Sequence, residues 1–133
     1  MILDSSAVVS ILIGEPEAAR LLQSMAEAPI LAIAAPTLLE STLVLAKFFR
    51  GDARAIVNEF VREFQVEVIP FSREHGDAAA DAFYRFGKGR HPAGLNFGDC
   101  MSYAAARLSG LPLLFIGDDF PKTDLAAGEG DGI

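Results

Sequence analysis

The stretch Gly110-Leu111-Pro112-Leu113-Leu114-Phe115-Ile116-Gly117-Asp118-Asp119-Phe120-Pro121 decides the fold. Its apolar run over 113–116 lies between a Gly/Pro break and a Gly-Asp-Asp turn, the pattern of a short strand buried on both faces. Asn96 is placed to cap a helix running to about Ser109, just before that strand. The same alternation continues upstream. Met1-Ile2-Leu3-Asp4 predicts a strand and residues 5–13 an apolar helix stopped near Gly14. Pro16 opens a second helix, with Ala18, Leu21, Leu22 and Met25 on one stripe.

A buried strand over 30–34 follows. Pro36 suits the first position of a third helix, whose face carries Leu38, Thr42, Leu45 and Phe49 before the turn at Gly51-Asp52. Ile56, Val57, Phe60 and Phe64 mark a fourth helix, and a strand over 66–69 closes at Pro70. Ser72 with Glu74 begins a fifth helix reaching about Phe86, and the Gly-rich segment 87–95 is a loop. Strands alternating with helices imply an α/β fold with a parallel sheet covered on both faces. Residues 1–127 form one predicted domain, and the Gly-rich tail over 128–133 is expected to fray.

Composition narrows the function. At 133 residues and 51% hydrophobic the chain suits one well-filled core. No apolar run is long enough to span a bilayer, and Met1-Ile2-Leu3 enters Asp4 with no basic segment before it. A soluble, cytoplasmic protein with no membrane association is expected. One cysteine, Cys100, and two distant histidines, His75 and His91, exclude a Cys/His zinc site. Any metal must therefore take oxygen ligands, which favours Mg²⁺, with Mn²⁺ as a substitute. The net charge of −7 argues against nucleic acid at first. Carboxylates that hold divalent cations overstate that repulsion, however, and Arg85, Lys88, Arg90 and His91 fall in one basic stretch.

In parallel sheets, ligands bind at the carboxyl ends of strands. Asp4 ends the first strand there, and Asp118-Asp119 follow the last. Glu40 lies in the first two turns of the third helix, and Asp99 in the first turn of the sixth. Four acidic positions from four segments converge on one rim, where cations must offset their repulsion. The fitting chemistry is metal-assisted hydrolysis of a phosphodiester. Taken singly, each acid has a plainer reading. Asp99 suits a capping box with Asn96, Glu40 a first-turn helix acid, and Asp118-Asp119 an ordinary turn. Asp4 is the hardest to explain away, because an acid ending a buried strand needs a partner. Ser5 or Ser6 could cap the following helix. Cys100 reads as a small buried hydrophobe.

Asp4-Ser5-Ser6-Ala7, Glu40-Ser41, Asn96-Phe97-Gly98-Asp99-Cys100 and Leu113-Leu114-Phe115-Ile116-Gly117-Asp118-Asp119-Phe120 occur in this order. Together they resemble the PIN-domain VapC toxins of type II toxin–antitoxin systems, from Met1 to about Leu125. The loop Gly87-Lys88-Gly89-Arg90-His91-Pro92-Ala93-Gly94-Leu95 resembles the one that precedes Asn-x-x-Asp in one VapC branch. The resemblance implies a PIN-like central parallel sheet of four or five strands flanked by helices. It also implies Mg²⁺-dependent endoribonuclease activity on RNA, a homodimer, and a cognate VapB-type antitoxin. By position it makes Asp4 and Asp99 metal ligands, and Glu40 a third catalytic acid. Asp119 is favoured as the fourth over Asp118, while Asp118 or Asp124 could support the metal indirectly. Lys88, Arg90 and His91 would grip RNA phosphates.

Two other classes compete. An aspartate-based phosphotransfer or phosphatase domain would want an acid two residues after Asp4, where Ser6 stands. A non-catalytic PIN scaffold for protein binding would have no need of all four acids.

Overall fold

A computed structural model describes residues 1–125 of the chain. Strand β1 (Ile2–Leu3) sits inside a parallel sheet with β2 (Ala32–Ala34), β3 (Glu67–Ile69) and β4 (Leu113–Leu114), in the order β3-β2-β1-β4. Six helices cover it: α1 (Ser5–Ile13), α2 (Ala18–Glu27), α3 (Ala35–Leu45), α4 (Ala53–Glu63), α5 (Arg73–Phe86) and α6 (Phe97–Ser109). The predicted tail over 128–133, and the last two residues of the predicted domain, lie outside the described residues. No helix among the described residues is long and apolar enough to cross a membrane.

Alternation along the strands splits the core in two. Ile2, Ala32, Ala34 and Leu113 join Tyr103, Ala106 and Phe86 of α6 and α5 on one face. On the other, Leu3, Ile33 and Leu114 meet Val8, Leu21, Met25 and Phe60 of α1, α2 and α4. Each large side chain buried this way contributes about 1.5–3 kcal/mol.

Three expectations change at the element ends. Only the inner part of 30–34 is strand, and Ile30 is exposed, its carbonyl taking a 2.6 Å hydrogen bond from the Met1 amino group. The third helix stops at Leu45 instead of continuing past Phe49. Bonds from Lys47 N to Val44 O (3.1 Å) and from Phe48 N to Leu45 O (2.9 Å) tighten the chain into turns. The last strand ends at Leu114 because the Ile116 N–H turns to the Ser6 hydroxyl, at 3.0 Å. Strand β3 is an edge strand with Glu67 and Val68 exposed, so the cover over both faces holds for β1, β2 and β4 but not for β3.

The strand order locates the site. From β1 the chain builds outward through β2 and β3, then returns to lay β4 on the other side of β1. The crevice between β1 and β4 is the point where connections diverge, and its carboxyl end is where such sheets bind ligands. Asp4 leaves β1 and Asp118-Asp119 follow β4 at that end.

Candidate active site

Asp4 is 3% exposed and does two jobs. It is the N-cap of α1, its carboxylate accepting the Ser6 N–H at 3.1 Å. The cap is therefore the aspartate itself and not Ser5 or Ser6, which stand inside the first turn. Oδ2 also accepts the Ser6 hydroxyl at 2.6 Å, and Oδ1 accepts the Ser102 hydroxyl at 2.5 Å. Ser102, fully buried in α6, has the Thr37 hydroxyl of α3 3.5 Å away. The partner that an acid ending a buried strand demands is thus a ring of hydroxyls and one amide. They fix both oxygens without neutralising the charge.

Glu40 reaches the same place from α3. Its carboxyl holds its proton more tightly than usual, mainly through burial and further through the charge of Asp4, against a hydrogen bond from Ser5. Its Oε1 is sealed from water with no hydrogen-bond partner. The carboxylate lies against the bare Cα of Gly98, where any Cβ would overlap it. Gly98 is the residue that lets α3 and the start of α6 bring Glu40 and Asp99 together.

Asp99 has the contacts that the capping reading asks for. Its Oδ2 accepts the Asn96 N–H at 3.0 Å while Asn96 Oδ1 accepts the Asp99 N–H at 2.8 Å, a complete capping box. It also faces the other acids. Burial first, then the charges of Asp4, Asp119 and Glu40, push its carboxyl up to about 6, against the Asn96 bond that lowers it. Asp119 is among the charges acting on Asp99, and both members of the doublet are exposed.

The remaining expected residues divide. Asp124 stands apart from the rim, held by Arg85 Nη2 at 2.8 Å, by the Tyr103 hydroxyl at 2.7 Å and by Arg107. Arg107 belongs to the last turn of α6, whereas Asp99 is in the first. In these contacts Asp124 ties the last described segment to α5 and α6. Lys88 and Arg90 are exposed on the loop after α5, with no carboxylate partner among the described residues. His91 does not join them outward. Its Nδ1 accepts the Ala93 N–H at 3.0 Å and its ring meets Phe86 edge-on, so it serves the loop itself.

Sequence reasoning missed Ser102 and Gly98. A signal existed for each: Ser102 is one helical turn after Asp99 on the same face, and Gly98 sits inside the acid motif where a better helix former would be expected.

The donor set at the rim is oxygen only, with an orphaned buried carboxylate oxygen and two raised acids, Glu40 and Asp99, which suits a hard divalent cation. Among the described residues no three acid, His or Cys side chains already form a cage. Such a cation would hold some carboxylates directly and others through water, as Mg²⁺ prefers.

A family model described as the PIN domain matches residues 1–125. The chain belongs to the PIN-domain family. Within it this PIN domain is of the VapC type. It is 46% identical over 126 residues to VapC ribonuclease Mb2004c of Mycobacterium bovis, covering 94% of this chain and 91% of that one. Its fold matches the crystal structure of Mycobacterium tuberculosis VapC20, a sarcin-ricin loop cleaving toxin, with a TM-score of 0.76 at 16% identity, over 94% of this chain and 95% of that one. A toxin–antitoxin complex from Klebsiella pneumoniae matches at 0.63 and 15%, over 91% and 88%.

Proposed function

We propose that this PIN domain is the toxic component of a type II toxin–antitoxin pair and a Mg²⁺-dependent endoribonuclease. The observation that carries the reading is the carboxylate cluster of Asp4, Glu40, Asp99 and Asp119. It combines an orphaned Glu40 oxygen with an Asp99 carboxyl raised by burial and then by the charges of its neighbours. The identity to a relative named as a VapC ribonuclease supports the activity. The matched toxin–antitoxin complex supports a VapB-type antitoxin as partner.

Asp4 and Asp99 would hold the metal, with Asp119 closing the rim and Asp118 the less favoured of the doublet. Bound Mg²⁺ supplies the positive charge that activates a water and stabilises the leaving oxygen of the scissile phosphodiester. Ser6 and Ser102 keep Asp4 in one orientation, so no reorganisation is needed when substrate arrives. Glu40, with its raised proton affinity, is suited to accept a proton from the attacking water. Lys88 and Arg90 would hold neighbouring phosphates. Beside Glu40, exposed Leu39, Leu43 and Phe97 line an apolar groove with Met101. A homodimer partner or the antitoxin would cover it.

The direct test incubates the purified chain with total cellular RNA in Mg²⁺, in Mn²⁺ and in a chelator, and sequences the RNA ends. Discrete new ends are expected with either metal and none with chelator. An RNA pool left intact in both metals would favour the scaffold reading instead.

Gly98→Ala probes Glu40 independently. The added methyl meets the movable end of a side chain, so melting should barely change while the Glu40 carboxylate is displaced. Cleavage is expected to fall about 10²-fold, the usual cost of a misplacement near 1 Å. An unchanged rate would remove Glu40 from the catalytic set.

A further inference from the structure

Beside the acidic rim, the last turn of α5 carries two aromatic rings that the reading above leaves without a task. Phe83 and Tyr84 are exposed, Tyr84 by 68%. The loop that follows turns back over them. The Arg90 guanidinium stands 4.7 Å from the Tyr84 ring centroid and 5.7 Å from that of Phe83. Arg90 and Lys88 have no carboxylate partner among the described residues, on a chain whose net charge is −7.

This arrangement is built, not incidental. A parallel bridge joins Gly87 to Leu95, with Lys88 N–H donating to Leu95 O at 2.9 Å and Leu95 N–H to Phe86 O at 3.0 Å. Gly87 has no room for a Cβ, which would overlap the Phe83 carbonyl and ring. The bare glycine therefore lets the loop start flush against Phe83. The far end of the loop is Leu95, next to Asn96, which caps the helix carrying Asp99. The rings, the two free cations and the acidic rim thus lie along one short path.

An exposed aromatic ring backed by an arginine, with unpaired cations beside it, matches a nucleotide better than a protein surface. The ring supplies a face for any base, and the cations answer the phosphates on either side of it. We propose that Tyr84, backed by Arg90 and Phe83, is a stacking platform for one unpaired nucleobase of single-stranded RNA, with Lys88 and Arg90 binding the adjoining phosphates. The proposal rests on the ribonuclease reading and adds to it a contact on the protein for one unstacked base.

The test compares a fluorescein-labelled ten-nucleotide oligouridylate with a ten-unit abasic sugar-phosphate strand, by anisotropy in chelator so that nothing is cut. Wild type should bind the oligouridylate at least about five-fold tighter than the abasic strand. Tyr84→Ala should abolish that preference while leaving abasic binding unchanged. Tyr84→Phe should keep it, which separates stacking from a folding defect. Arg90→Gln should weaken both strands and flatten the salt dependence. Equal binding of the two strands by wild type, or a preference that survives Tyr84→Ala, overturns the platform. So does a Tyr84→Ala variant that changes self-association but not RNA binding. If Mg²⁺-dependent cleavage of cellular RNA persists in those cases, the ribonuclease reading stands alone. If wild type neither binds nor cuts RNA, both fall.

Discussion

Asp4→Asn should reduce RNA cleavage by about a thousand-fold or more, and it should also weaken the fold. The first effect follows from removing the most fixed negative charge at the metal rim. The second follows from what surrounds it. The Ser6 N–H can only donate, so the asparagine must turn its oxygen towards Ser6 and its amide towards Ser102. The Ser102 hydroxyl then has to accept where it had donated, and the charge-assisted bonds are lost. A loss of about 1–2 kcal/mol is expected, read as a lower melting temperature in chelator. Cleavage within ten-fold of wild type would show that Asp4 is structural only.

Asp99→Asn should also remove cleavage, but with the opposite effect on stability. The folded chain holds the Asp99 proton more tightly than the unfolded chain, with the carboxyl raised from 3.8 to about 6. Stability tied to this group is therefore full below the unfolded value and falls as pH rises through the folded one. At neutral pH the wild-type protein without metal carries that cost. Asparagine does not, and its oxygen can still accept the Asn96 N–H. Since Asp99 is only half-buried, the gain is discounted for solvent screening to about 1 kcal/mol, a rise of about 2–5 °C. The difference between variant and wild type should grow between pH 4 and pH 7, measured by melting in chelator. Added Mg²⁺ should raise the melting temperature of wild type and leave the variant unmoved. A variant less stable than wild type at pH 7 without metal would mean that the capping bond outweighs the repulsion.

Why these two acids differ explains what could be read from the chain. Asp4 was conspicuous because a buried strand ending in a carboxylate breaks the local hydrophobic rule, and the structure answers with hydroxyls. Ser102 lies 98 residues away from it, and no local pattern joins them. Asp99 reads in the sequence as a cap or as a site residue, and the structure gives it the cap while setting it among the other acids. Asp124 follows Asp118-Asp119 closely along the chain, but proximity in sequence says nothing about direction. The short helical turn at Phe120–Lys122 carries it away to Arg85 and Arg107. The parallel sheet was legible from apolar runs between breakers. Its true strand ends were not, since Ile116 leaves the sheet for a hydroxyl that belongs to the first helix.

The position of β4 beside β1 has a consequence for biosynthesis. A nascent chain released before Phe97 would contain Asp4 and Glu40 but neither Asp99 nor Asp119. It would also lack the strand that completes the crevice. Translation must run almost to the end of the described chain before the acids can meet. Prematurely terminated products would then lack an assembled acidic rim.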